Sequence, residues 1–123
     1  MNPLTRMNLL LSFLYLLLGS SLGLILSIRQ TLPSIVHAHI QLIGFVTQMI
    51  IGVTYHVVPM LSRGKIYSFK LGYLHTTLLN VGLLTQVYGF LTNSLFFKNL
   101  GSLLLFLSVV MYLFNILKSM NWR

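Results

Sequence analysis

Four long apolar runs separated by short polar breaks set the pattern of the chain. The first covers about residues 7–28, follows a short basic start and carries a small-residue patch, Gly19-Ser20-Ser21 and Gly23, suited to close helix packing. It is too long for a signal peptide and lacks an Ala-x-Ala-like exit, so it reads as a retained helix. Residues 29–33 read as a tight turn, and the second run, about 34–58, starts at Pro33-Ser34 and stops at Pro59. Residues 59–70 form the one substantial polar connection. The third run is about 71–91, a turn covers 92–98, and the fourth run is about 99–117. At 1.5 Å per residue the runs measure about 28–38 Å, enough to cross the roughly 30 Å of a bilayer's hydrocarbon core. The expectation is all-α: one domain, residues 1–123, folded as an integral membrane four-helix bundle.

The second run is apolar enough to cross a bilayer yet holds three of the chain's four histidines, His37, His39 and His56, and two glutamines. Polar groups in hydrocarbon are costly, so each should face protein, a cofactor or water. At about 100° per residue, His37, Gln41, Gly44, Gln48, Gly52 and Tyr55 fall on one polar, small-residue stripe. His39 projects about 200° from His37, and His56 lies between them. From His37 to His56 the helix rises about 28 Å, which puts histidine near both membrane surfaces. The third run repeats part of this pattern: His37, Gly44, Thr47 and Gln48 recur with identical spacing as His75, Gly82, Thr85 and Gln86. His75, Gly82, Gln86 and Gly89 then make a second stripe, and an antiparallel third helix sets His75 at about the depth of His56.

Composition sharpens the picture. With 56% hydrophobic and 7% charged residues over 123 positions, the chain belongs to the membrane class. It has no Asp or Glu and no Cys, which excludes carboxylate acid–base chemistry, disulfides, zinc thiolate and iron–sulfur sites and covalent haem attachment. The formal charge of +8 lies between the apolar runs, where it serves topology and lipid headgroups rather than nucleic acid. With four spans, Arg6, Arg63, Lys65, Lys70, Lys118 and Arg123 share one side and only Arg29 and Lys98 the other. Both termini are then cytoplasmic, His37 and His39 lie near the outer surface, and His56 and His75 near the inner one.

Imidazoles on opposing transmembrane helices can clamp the iron of a haem, whose flat ring needs small-residue clearance and whose propionates need cations. His37, His39, His56 and His75 are the candidate ligands, Gly44 and Gly82, with Gly52 and Gly89, the clearance, and Arg29 and Lys98 on the outer side, or Arg63, Lys65 and Lys70 on the inner side, the propionate contacts. His56 and His75 can ligate one iron within a single chain. His37 and His39 cannot share one, because an iron between them would lie inside the helix, so a six-coordinate outer haem needs a second copy. A homo-oligomer follows, most simply a dimer, its interface either the glycine stripe around His37 or the apolar surface around His39 with Val46 and Ile50. His39 is the favoured ligand reaching across. Tyr55 reads as an interfacial anchor, and the methionines, among them Met49, Met60 and Met111, as packing.

His37-Ala38-His39, Gly44-Phe45-Val46 and Gly52-Val53-Thr54-Tyr55-His56-Val57-Val58-Pro59 resemble the catalytic subunits of heme-copper oxidases, on the C-type oxidase and nitric oxide reductase side. The similarity lies mainly in residues 37–59. It implies a single four-helix arc of that subunit, haem b (iron) as cofactor, His37 and His39 as ligands on the outer side, and a prokaryotic cytoplasmic (inner) membrane. The chain departs from that family in having no His-His pair, no further copper-binding histidines and no acidic proton-channel residues. The expected function is therefore electron transfer by a b-type cytochrome, with oxygen or nitric oxide reduction put in doubt and an enzymatic role left open, and with a protein or quinone as redox partner. The rivals are a haem-based gas or redox sensor, an accessory oxidase subunit, and a His-lined transition-metal carrier without haem.

Overall fold

A computed structural model describes residues 1–29 and 33–120. The described residues form four helices and no strand: α1, Pro3–Ile28; α2, Ser34–Ser62; α3, Phe69–Thr92; and α4, Leu95–Ser119. Most of the expected 29–33 turn, and Arg123 of the charge count, lie outside the described residues. α1, α2 and α4 are long and apolar enough to cross a membrane. α3 is 24 residues long but more polar, carrying His75, Thr76, Thr77, Asn80, Thr85 and Gln86.

The distribution of side chains is inverted relative to a water-soluble bundle. Among the described residues ten polar side chains are buried and only eight hydrophobic ones, while Leu17, Leu61, Leu95, Phe96 and Phe106 are among the many large apolar groups on the outside. Lipid accounts for this: it removes the drive to bury leucine and rewards polar contacts between helices. α3 and α4 form the most intimate pair. A Cβ on Gly101 would lie 2.6 Å from the Gln86 backbone nitrogen, and one on Gly82 would lie 3.1 Å from the Gly101 carbonyl, so only glycine permits this crossing. The predicted stripe His75, Gly82, Gln86, Gly89 is buried along its length, and its glycines and Gln86 pack on α4. The stripe on α2 faces α1, with Gln41 against Gly19, Gly44 against Tyr15, and Gly52 against Asn8 and Leu9.

Several boundaries differ from the sequence reading, each for a visible reason. α1 begins at Pro3 because Asn2 Oδ1 accepts from the Thr5 N–H at 2.8 Å and proline suits the first turn. α2 does not stop at Pro59 but runs on to Ser62 and closes with Arg63 in the left-handed region (φ 51°). Proline leaves the carbonyl four residues back without its donor. Here that carbonyl belongs to Tyr55, and Asn2 Nδ2 donates to it at 2.9 Å. The start of α1 thus repairs the ladder of α2. Between Ile40 and Thr47 the helix widens to π type, and the Thr47 hydroxyl donates to Leu42 O five residues back. Hydrophobic periodicity carries no sign of this widening.

Candidate functional site

The end of the molecule carrying Arg29 and the α3–α4 turn holds two of the histidines. His37 and His39 sit one turn into α2, inside its regular α segment, and point at different helices as their spacing predicts. His37 lies on the small patch of α1: its Nδ1 donates to the Gly19 carbonyl at 2.7 Å, and a Cβ on Gly23 would meet its Cε1 at 2.7 Å. Gln41 fills the space above Gly19 and donates to Ser20 Oγ at 3.2 Å. His39 turns instead to α3, its ring centroid 4.9 Å from that of Phe90, while its Nδ1 donates to Ile35 O at 2.9 Å. A carbonyl oxygen can only accept, so in both rings Nδ1 carries the proton and Nε2 keeps a free lone pair. That tautomer, fixed by a carbonyl, is the one metal-ligating histidines use.

Phe90 joins two of the sequence candidates. Lys98 Nζ lies 5.5 Å from the same ring centroid and donates to Asn93 Oδ1 at 2.9 Å. Asn93 holds the left-handed position (φ 52°) that ends α3, so the turn itself sets the lysine against Phe90, the ring on which His39 also packs. Arg29 caps α1 and is exposed.

The other pair is separated. His56 is exposed, whereas His75 is fully buried, so the structure does not bring these two side chains together. His75 Nε2 is 2.6 Å from the Tyr55 hydroxyl, which also accepts from Asn115 Nδ2 at 2.9 Å. The Tyr55 O–H has no other acceptor among the described residues, so it donates to His75, whose own proton then sits on Nδ1, a buried atom with no partner. Tyr112 completes the cluster, its ring 5.5 Å from His75 and 5.8 Å from Tyr55, and its hydroxyl 2.7 Å from Thr54 Oγ1. Thr54 in turn donates to Ile50 O, so Tyr112 is the donor in that bond. Ser108 adds a bond to the His75 carbonyl at 2.6 Å. Tyr55 is thus no interfacial anchor but the centre of the core, 0% exposed. Its place on the α2 stripe, at the level of His75, was the signal available in the sequence.

The glycines read as clearance for a flat ring are filled by protein. A Cβ on Gly44 would lie 2.5 Å from Tyr15 Cγ, and Gly82 is sealed by Leu104 and Gly101. Gly52 and Gly89 are likewise taken up by α1 and by the start of α4. These four glycines face α1 and α4, so the clearance expected of them for a flat ring is taken up by protein. Of the two candidate interfaces, the stripe around His37 is already covered by α1 of the same chain. The His39 side is left open, with Leu42, Val46 and Ile50 each at least 40% exposed along the same helix. Among the described residues no group of three or more metal-ligating side chains converges. Comparison of the chain with protein-family models, with curated proteins and with solved structures finds no match.

Proposed function

We propose that this chain is a membrane b-type cytochrome that transfers electrons, crosses the bilayer four times with both termini in the cytoplasm, and holds haem between two copies. The observation that carries the reading is His39: Nδ1 locked to a carbonyl and Nε2 without a partner among the described residues, on a half-buried ring at the edge of the open face of Leu42, Val46 and Ile50. α3, the least apolar helix, crosses as the shielded member of the bundle, its polar stripe packed on α4. The positive-inside bias supports the orientation, with Arg6, Arg63, Lys65, Lys70 and Lys118 at the end that holds the termini.

One imidazole cannot make a six-coordinate site, and His37 is turned toward α1. A two-fold axis on the open face supplies the second His39 from an identical surface. Haem, when bound, supplies one-electron chemistry at its iron. The chain's own part is to fix the ring orientation through Ile35 O, to pack Phe90 against His39 in a tilted contact, and to present Lys98 and Arg29 as cations at that end. The absence of any carboxylate leaves those cations unpaired for an anionic group. A pyridine haemochrome assay of purified wild type, His37→Ala and His39→Ala tests the assignment. Wild type and His37→Ala should carry haem b and His39→Ala should not; equal haem in all three overturns it.

A further inference from the structure

α1 and α3 touch only lightly, and between them a groove of about 380 Å³ opens toward the lipid. Its walls are apolar, including Met7, Leu11, Val81 and Leu84, but its floor holds Tyr15 and Asn80. Both stand at the midpoints of their helices, so the floor lies near the centre of the hydrocarbon. Tyr15 donates its O–H to Asn80 Oδ1 at 2.7 Å, and Asn80 Nδ2 donates to Thr76 O at 2.8 Å. Both residues line the groove, and the second Asn80 N–H, the second lone pair of Oδ1 and the Tyr15 oxygen have no partner among the described residues. Hydrocarbon offers them none, and an unmade bond there is costly.

The occupant must therefore bring a polar atom to mid-bilayer, be neutral, and be apolar elsewhere. A phospholipid headgroup stays about 15 Å away at the surface, half the hydrocarbon thickness. A ring carbonyl accepts from the free Asn80 N–H, and a ring hydroxyl donates to Asn80 Oδ1 or to the Tyr15 oxygen. The same two side chains thus serve both members of a carbonyl/hydroxyl pair. The volume falls in the range of small-molecule pockets, roughly 300–1,000 Å³. We infer that this groove is a binding site for a membrane-soluble quinone or quinol, with a ring oxygen on Asn80 and Tyr15. The inference is independent of haem, since binding is read without it.

The test is a titration of the purified full chain in detergent micelles with a decyl-substituted benzoquinone, followed by calorimetry. Asn80→Leu removes the polar floor, and Leu84→Trp plugs the mouth from a position that is 60% exposed. Leu107→Trp, on α4, is the control. Saturable binding by wild type and the control, weakened at least about tenfold in both groove variants, supports the site. Non-saturable partitioning into wild type, or unchanged affinity in Leu84→Trp, overturns it. A dimer in which wild type binds no quinone and Leu84→Trp turns monomeric also overturns it, because a second copy then fills the groove.

Discussion

The Tyr55 hydroxyl donates to His75 Nε2 at 2.6 Å, and this bond ties α2 to α3 at the most buried level of the molecule. Asn115 of α4 joins it and also bonds the backbone of Ser68 through Nδ2 at 2.9 Å and Oδ1 at 3.1 Å, so the connection after α2 hangs on the same network. Tyr55→Phe leaves an unpaired nitrogen on His75 and an unused donor on Asn115. A buried polar atom stripped of its partner costs about 1–3 kcal/mol. The variant should unfold earlier on heating in detergent while keeping the haem content of the wild type. Loss of haem with unchanged Tm would make the cluster part of the cofactor site.

Asn2→Ala removes two bonds at once, the cap on Thr5 and the donor to the Tyr55 carbonyl that Pro59 leaves free. The expected loss is about 1–3 kcal/mol, with fraying at both the start of α1 and the Pro59 turn of α2. Hydrogen exchange that rises in α1 alone would separate the two helices and refute the coupling.

Glycine substitutions should rank by what each added methyl meets. Gly101→Ala presses on the Gln86 backbone at 2.6 Å, whereas Gly52→Ala meets the side chains of Leu9 and Asn8 at 3.1 and 3.2 Å. The first should cost about 1–3 kcal/mol and the second distinctly less, by thermal unfolding in detergent. Equal losses would mean that the α3–α4 crossing is looser than described.

The histidines show where sequence reasoning reached and where it stopped. The opposed directions of His37 and His39 follow from helical spacing alone, and the polar stripes on α2 and α3 face neighbouring helices as periodicity requires. Periodicity names a face but not its partner. It could not say that Tyr15 fills Gly44, that α1 covers His37, or that His75 meets Tyr55 rather than His56. Pro59 read as a stop because its rescue comes from Asn2, far away in the sequence. The π segment at 40–47 leaves no compositional mark.

On the proposed reading, with haem held at His39, Lys98→Ala should shift its midpoint potential, because the lysine shares Phe90 with that imidazole. Arg63→Ala, at the opposite end, should leave it unchanged. Potentiometric titration of the three proteins checks this. Equal potentials in all three would deny Lys98 any role near the cofactor.

Native mass spectrometry of the purified protein tests the shared site most directly. The account predicts two chains with one haem between them, falling to haem-free species in His39→Ala. A single chain that holds a bis-histidine haem, or a dimer that retains haem without His39, would contradict it.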